Sequence, residues 1–509
     1  MDGLDEVPTE KMSEMTNAIR NLVDIHANNR FIVSCRIAAY HHSLNFQRFT
    51  NLAIADFNDK QIQTLIHKWF ESHSQPEWGQ QCWEKLNSRD YAATKELTKT
   101  PLLLTLICIL FRKRGEFPNK RATVYNEALW TLLSEWDASK EIIRQQSYKG
   151  LDTKCKEIML AEIAYNNFIK DNLFFQQGEI APQVEQILKE MLLNEKIIDG
   201  RAVLRAIEEQ HGVLVGRTED VYSFSHLTLQ EFLTAKHIVD NNIDIEELIT
   251  KYLCDYRWRE VFLIFAGLRK SDDLLLKMEQ QIQTYVATPK LQNLLIWVKQ
   301  ITNSSEGNFN PIGKRAIAIA NAIANVNTND IIYFTIVNAY VIANFNANDY
   351  LILDLNAITL ANAYIITNAN TSINTNTNTN NTFTFIINFT DDNAIDKFVE
   401  SAQLLERFQI YKDVNFTEII ARLNQLKNQV PDDNESDDVQ RNFSQRLIKI
   451  WLEAFHLTPE MIDLSVEELN ALDNYFYANW LMIQCHEAAV RVSRNTWESI
   501  EQRMFFPKA

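Results

Sequence analysis

The sequence predicts a mainly α fold with a smaller α/β part at its N-terminus. Residues 58–305 and 393–509 carry apolar side chains three and four positions apart, the spacing of amphipathic helices. A β-branched run at residues 31–35 has the composition of a buried parallel strand, and two short alternating runs at 212–226 have the pattern of a hairpin. These three observations predict several helical domains, a small sheet and one hairpin.

Composition and charge limit the classes of function. The chain has 509 residues, enough for about three domains. Its net charge of −16 argues against general nucleic-acid binding and against an anionic membrane surface, because phosphate binding needs clustered Lys and Arg. The 6 cysteines are scattered without a CxxC pair, as in reduced proteins. We therefore expect a cytoplasmic protein that does not bind membranes.

The N-terminal elements are taken in chain order. "FIVSC" (31–35) and "NLAIADF" (51–57) are candidate strands, and residues 10–25 are the candidate crossover helix. A helix begins at Asn58, because an amphipathic stripe follows it that consists of Ile62, Leu65, Ile66, Trp69 and Phe70. Farther along, Thr100 and Pro101 have the chemistry of an N-cap and a first helical residue, so "PLLLTLICILF" predicts a buried helix.

A winged-helix module is predicted around residues 212–226. Two alternating runs surround "RTED" in "GVLVGRTEDVYSFSH", after a helix that ends near His211. Ser225 can cap the next helix, whose buried stripe is Leu229, Phe232 and Leu233. A hairpin bracketed by helices in this way is typical of a winged helix.

Residues 306–392 differ from the rest in composition. They are rich in Asn, and no Lys or Arg occurs between Arg315 and Lys397. Apolar residues alternate with Asn over 339–365, which favours strands, and Asn also recurs at multiples of six, which favours a coiled repeat. Low-complexity sequence explains the same pattern, so the fold of this segment is left open.

The opening "DGLDEVP" contains carboxylates suited to nucleotide chemistry. Hydrolysis of a nucleoside triphosphate needs a loop that wraps the phosphates, a carboxylate for Mg²⁺ and an acidic group for the attacking water. Asp2 is the candidate Mg²⁺-linked carboxylate, and Asp5 and Glu6 are the candidate catalytic pair that positions the water. The same residues also fit a polar turn with no ligand.

Four motifs together resemble a NACHT-type NTPase of the STAND class. They are "DGLDEVP", "NRFIVSCR", "TPLLLTLIC" and "YSFSHLTLQEFLTA", which occur in the order of that family over about residues 1–270. The resemblance implies that Asp2 is the Walker B aspartate and that Arg36 is a sensor for the γ-phosphate. It also implies that Pro101 packs near the adenine and that His226 contacts the β-phosphate of ADP. A surface arginine, a helix-starting proline and a structural histidine are the alternatives.

The resemblance also implies a domain order. Residues 1–98 are the C-terminal part of the NTPase domain with a partial P-loop NTPase sheet, 99–150 a helical subdomain, and 151–241 the winged helix. Residues 242–305 are a helical arm, 306–392 the Asn-rich segment, and 393–509 a helical C-terminal module. This module resembles the terminal module of cyanobacterial NACHT proteins noted for a Cys and a His, here Cys485 and His486. A Cys–His catalytic pair or metal site there would need further partners.

A switch is the function that the resemblance implies. ADP holds a closed monomer, and exchange for ATP, prompted by a ligand on the C-terminal half, permits self-oligomerisation in bacterial signalling or defence. No GxxxxGK[ST] sequence occurs in the 509 residues, so we expect a chain truncated before Walker B that does not hydrolyse ATP or GTP alone. ATP/ADP and Mg²⁺ are expected only with a P-loop supplied. The alternative is a non-catalytic helical interaction scaffold.

Overall fold

The structure is a computed structural model that divides into two compact units. The first holds residues 1–274 and 484–492, and the second holds residues 275–483 and 493–509. The described residues are 4, 7, 9–34, 49, 52, 55, 57–88, 91, 94–95, 98–99, 101–118, 120, 122–127, 129–130, 133, 152–191, 199–211, 213–218, 220–305, 310–324, 394–431 and 435–507.

In the described part of the first unit the chain forms α1 (Thr9–Ile25), α2 (Asp59–Ser72), α3 (Pro76–Leu86) and α4 (Pro101–Arg114), and residues 122–127 are also helical. The predicted start of α2 is confirmed, because the Asn58 side chain accepts from Gln61 N and the Gln61 side chain accepts from Asn58 N in a capping box. Three members of the predicted stripe, Ile62, Ile66 and Phe70, are buried. The other two are half-buried at its edges.

The strand predicted at residues 31–35 is wrong over its described part. Residues 31–34 form no strand, and Ile32 is 84% exposed. Strand formation needs a ladder of backbone hydrogen bonds to a neighbouring strand, and the bond from Leu4 N to Ser34 O at 2.9 Å is not part of such a ladder among the described residues. Most of the second candidate, residues 51–57, lies outside the described residues, as does most of the sheet predicted for residues 1–57.

Aromatic packing joins α2, α3 and α4. The ring of Phe111 on α4 lies 6.2 Å from that of Phe70 and 5.9 Å from that of Trp78, both in edge-on geometry. "PLLLTLICILF" is a buried helix as predicted, since Leu104, Ile107 and Leu110 are at most 1% exposed. No helix in the described part of the chain is long and apolar enough to cross a membrane.

A winged-helix arrangement follows. Its elements are α5 (Thr153–Phe168), β1 (Phe175–Gln176), α6 (Gln177–Met191), α7 (Gly200–His211), β2 (Leu214–Thr218), β3 (Val221–Phe224) and α8 (Leu227–Asp240). The strands form an antiparallel sheet in the order β1-β3-β2, so the predicted hairpin and the helix end at His211 are both confirmed. Strand β1 was not predicted, because two residues are too few to show a period.

Two helices, α9 (Ile245–Tyr252) and α10 (Arg259–Leu268), continue the first unit after α8. Trp258, which precedes α10, is 1% exposed and stacks on Tyr252 with ring centroids 4.2 Å apart. Arg257 forms ion pairs with Asp171 and with Asp255. These contacts fix the start of α10 against the loop that leaves α5.

The described elements of the second unit are helices. In chain order they are α11 (Asp272–Tyr285), α12 (Pro289–Thr302), α13 (Pro311–Ala324), α14 (Ala394–Phe408), α15 (Phe416–Lys427), α16 (Asp437–Ala454), α17 (Pro459–Ile462), α18 (Val466–Ala488) and α19 (Arg494–Arg503), where α11 starts and α18 ends in the first unit. Helix α13 lies in the segment of uncertain fold, and residues 325–393, with the predicted strands or repeat, lie outside the described residues.

An aromatic cluster around Phe455 forms the core of the second unit. Rings of Tyr411 and Trp451 each lie 4.8 Å from that of Phe455, and Phe416 lies 6.0 Å away. Trp297 Nε1 on α12 donates to the Phe455 carbonyl at 2.8 Å. The mainly α fold class is therefore confirmed in both units.

Candidate functional site

The predicted nucleotide site is only partly within the described residues. Asp2, Asp5, Glu6 and Arg36 lie outside them, so the Mg²⁺, catalytic and sensor roles of these residues stay predictions. Pro101 and His226 are described. They stand on separate elements of the first unit, at the starts of α4 and α8, and both are exposed.

Pro101 is the first residue of α4, which confirms its role as a helix-starting proline. Its carbonyl accepts a hydrogen bond from Thr105 Oγ1 at 2.9 Å. The exposed ring leaves one apolar face beside the polar N-terminus of the helix. Packing of that ring against an adenine stays a prediction.

His226 is the N-cap of α8. Its backbone is extended, with φ −138° and ψ 136°, and its side chain makes no hydrogen bond to the helix N–H groups. Ser225 was expected at this place, and that prediction is wrong by one residue. The reason is that Ser225 N donates to Val213 O at 2.8 Å, which keeps Ser225 in register with the wing. The helix start thus presents an exposed imidazole directly after β3.

Helix α8 is buried along most of its length. Leu229, Phe232 and Leu233 are at most 3% exposed, as predicted. Two polar side chains on the same helix are also buried, and neither Gln230 Nε2 nor Thr234 Oγ1 finds a hydrogen-bond partner among the described residues. Buried polar groups without hydrogen-bond partners destabilise the folded state. The packing of α8 against its neighbours therefore has to outweigh this cost.

An ion-pair cluster joins α8 to α5, and the sequence analysis missed it. Lys236 Nζ and Lys154 Nζ each lie 3.1 Å from a carboxylate oxygen of Glu157, a residue only 5% exposed. Asp240 lies 3.4 Å from Lys236 Nζ. The only sequence sign was a set of charged residues inside two otherwise apolar helices. The cluster fixes the rotation of α8, and therefore the direction in which His226 points.

Cys485 and His486 do not form a reactive pair. Burial raises the pKa of the Cys485 thiol, and burial lowers the pKa of half-buried His486. A nucleophilic cysteine needs a lowered pKa and access to solvent, whereas Cys485 is 0% exposed. Among the described residues no group of His, Cys, Asp and Glu is placed to hold a metal ion.

Two protein-family models match separate segments of the chain. The model for the winged helix-turn-helix domain C-terminal to NACHT matches residues 121–238, which contain α5 to α7, the three strands and all of α8 except its last two residues. The model for NACHT C-terminal Helical domain 2 matches residues 419–507, which contain α16 to α19. A search of curated proteins finds no match to the chain. Both matched models take their names from NACHT, and the two segments have the predicted secondary structure, so they are similar to domains that lie C-terminal to NACHT, as the sequence resemblance implied.

Proposed function

We propose that this protein is part of a nucleotide-dependent signal-transduction switch, closed with ADP and open with ATP, that self-oligomerises in bacterial signalling or defence. The observation that carries the proposal is the position of His226 as the exposed N-cap of α8. A helix N-terminus carries a partial positive charge and favours anions, and an imidazole there adds a directional donor for a phosphate oxygen.

The switch works by differential affinity. A nucleotide that contacts His226 in only one arrangement of the winged helix stabilises that arrangement by the free energy of the contact. ADP is proposed to make this contact through its β-phosphate, and a ligand sensed by the C-terminal half is proposed to weaken it. Pro101 on α4 would hold the adenine in the same closed state.

The 509 residues contain no GxxxxGK[ST], so the phosphate loop has to come from another segment. With such a loop present, Asp2 would hold Mg²⁺, Asp5 and Glu6 would orient the attacking water, and Arg36 would detect the γ-phosphate. Without it, these residues have no phosphate to act on. We therefore propose that this chain senses nucleotide only together with such a loop and does not hydrolyse it alone.

The test uses the chain joined to a P-loop segment, sought first in the DNA directly upstream of the Met1 codon. Retained ADP and its dissociation rate are measured in the wild type and in His226→Ala. We expect dissociation to be about tenfold faster in the variant, from loss of a charge-assisted hydrogen bond. His456→Asn is the control, because His456 is an exposed histidine of the second unit with φ 55°, a conformation that Asn tolerates.

Equal dissociation rates in His226→Ala and the wild type would contradict the proposed ADP contact. If no P-loop is encoded upstream and the transcript starts at Met1, the helical interaction scaffold becomes the better proposal. The missing GxxxxGK[ST] favours that second function, which predicts no nucleotide binding with either variant.

A further inference from the structure

Three segments that are far apart in sequence meet within the first unit. They are residues 120–127, residues 259–271 with helix α10, and residues 484–491. We name residues 484–491 the C-terminal clamp. The clamp is the last turn of α18 and the segment after it. It belongs to the region that matches the C-terminal helical family.

Lys120 binds the end of α18. Its Nζ donates to the carbonyl of Ala489 and, at 3.0 Å, to the carbonyl of Val490. Both carbonyls directly follow the C-terminus of α18, where the helix dipole places a partial negative charge, so an ammonium group there is favourable. Lys120 thus holds the clamp from the side of the winged-helix region.

Helix α10 holds the clamp from the other side. Val490 N donates to Ala266 O at 3.2 Å, and Ser271 N donates to Arg491 O at 3.1 Å. Arg259 Nη2 donates to Gln484 Oε1 at 2.8 Å. The acceptors are two backbone carbonyls and the half-buried Gln484 side chain, and each such hydrogen bond makes a modest net contribution to stability.

Gly267 allows the three segments to approach closely. A Cβ placed there would lie 2.7 Å from Ala122 Cβ and 3.3 Å from Ala488 O. Only glycine leaves room for both neighbours at this point of α10. The close contact places Ala122 and the end of α18 on the same small area of the α10 surface.

A packed path leads from the clamp to His226. Tyr125, one turn after Ala122, is 1% exposed, and its ring lies 5.8 Å from that of Phe232. Phe232 is on α8, whose N-cap is His226. A displacement of residues 120–127 therefore changes the packing of the helix that carries His226.

We propose that the C-terminal clamp is a releasable contact that fixes residues 120–127 on α10, and that its release loosens α8. Release of the clamp is a change of conformation. Its role in regulation rests on the proposed function, in which α8 carries the ADP-sensing histidine. Release requires the hydrogen bonds of residues 484–491 to open and the buried Cys485 side chain to become exposed. The helices of the winged helix stay folded while the clamp is open.

Cys485 gives a native reporter of release, because it is 0% exposed inside the clamp. Cys82 and Cys108 are also 0% exposed but belong to α3 and α4, so they report global unfolding. The full chain is pulsed with N-ethylmaleimide, and labelling of each cysteine is read by mass spectrometry. Hydrogen exchange of residues 122–127 is followed in parallel. Neither measurement uses nucleotide, so their failure is distinct from failure of the ADP proposal.

Two variants open the clamp and one serves as a matched control. Lys120→Met removes the donor but keeps the apolar stem, and Gly267→Ala introduces the clash with Ala122. We expect each to raise the rate of Cys485 labelling about tenfold and to speed exchange at 122–127, with Cys82 and Cys108 unchanged. Lys189→Met, at an exposed position of α6, should leave all rates unchanged.

Three results would overturn the proposal. If Lys120→Met leaves the Cys485 rate at the wild-type value, Lys120 does not hold the clamp closed. If the labelling rates of Cys485, Cys82 and Cys108 rise together in either variant, residues 484–491 open only with global unfolding and are an ordinary part of the core. Faster Cys485 labelling without faster exchange at 122–127 would separate the clamp from α8 and also contradict the proposal.

Discussion

Arg315 on α13 caps the C-terminal end of α19 in the second unit. Its Nη1 donates to the carbonyls of Met504 at 2.7 Å and Glu501 at 3.0 Å. The guanidinium stacks on the ring of Phe506, 3.9 Å from its centroid. Burial lowers the pKa of Arg315 to about 10, so the group stays charged at neutral pH. One side chain therefore supplies hydrogen bonds, charge and a stacking face at a helix end.

Replacing Arg315 with Ala should destabilise the second unit by about 2 to 3 kcal/mol, because buried carbonyls lose their donor and the Phe506 ring loses its partner. Urea unfolding measures the change. Arg494→Ala is the matched control, since that side chain is 88% exposed and pairs only along its own helix with Glu498. We expect no measurable change there. A similar loss in both variants would show that Arg315 has no special role.

His237 on α8 gives the winged helix a predictable pH response. Burial lowers the pKa of His237 below its ordinary value of 6.5, and the charge of Asp240 opposes this only partly. The ring stacks on that of Tyr165, with centroids 4.8 Å apart. The unfolded chain therefore takes up the proton first as the pH falls. The stabilisation is complete above about pH 6.5 and is lost as the pH falls through the lower folded pKa.

His237→Gln should weaken this pH dependence. Between about pH 7.5 and 5.5 we expect the thermal midpoint of the wild type to fall more than that of the variant. Differential scanning calorimetry at both pH values measures it. His26→Gln, at an exposed position directly after α1, should behave as the wild type does. A steeper fall in His237→Gln than in the wild type would reverse the assigned sign.

At the scale of elements, Gly200 determines how closely α6 and α7 approach. It is the first residue of α7, and a Cβ there would lie 2.2 Å from Ala181 O on α6. Gly200 N also donates to Glu185 Oε1 at 3.1 Å. Gly200→Ala should therefore destabilise the protein by about 1 to 3 kcal/mol, because backbone has to move to admit the methyl group.

Gly178 on α6 is the matched control for Gly200. A Cβ at Gly178 meets nothing within 4 Å, so Gly178→Ala should stabilise the protein by about 0.5 kcal/mol through the better helix propensity of Ala. Thermal denaturation of both variants measures the two signs. The assigned close approach is contradicted if Gly200→Ala is as stable as Gly178→Ala.

Elements with strong local chemistry were predicted from the sequence. The helix start at Asn58 and the buried helix after Pro101 depend on neighbouring residues only, and both are present, the first with a capping box. The helix start at α8 was displaced to His226, because the bond from Ser225 N to Val213 O comes from the sheet and not from local sequence. Tertiary contacts decide element boundaries in this way.

The candidate site was less accessible to sequence reasoning than the fold. His226 was selected through its motif, and the structure supplies its exposure and its N-cap geometry. The Glu157–Lys236 pair and the contact between Lys120 and the end of α18 join residues that are far apart in the chain. No period or spacing encodes such pairs. The remaining site residues, such as Asp2 and Arg36, stay predictions.

At the scale of the whole molecule, charge separates this winged helix from those that bind DNA. The chain has 66 acidic residues against 50 Lys and Arg. Helix α7, which precedes the wing, exposes Arg201 and Arg205, but it also carries Glu208, whose Oε1 accepts from Gly216 N at 2.8 Å. A DNA-reading helix needs a positive surface along its length to offset phosphate repulsion. The wing here is tied to a carboxylate instead.

We therefore predict that the protein does not bind duplex DNA at physiological salt. Fluorescence anisotropy with a labelled duplex of about 30 base pairs should show no saturable change at about 150 mM salt, since affinity for phosphates depends on released counterions. The same chain with a ten-lysine tail should bind and lose affinity as salt rises, which proves that the assay detects electrostatic association. Saturable binding by the untailed chain, abolished in Arg201→Ala with Arg205→Ala, would assign α7 to DNA. If neither the wild type nor the variant with Arg201→Ala and Arg205→Ala binds, the partner of the winged helix is a protein or a nucleotide, in keeping with the net charge of −16.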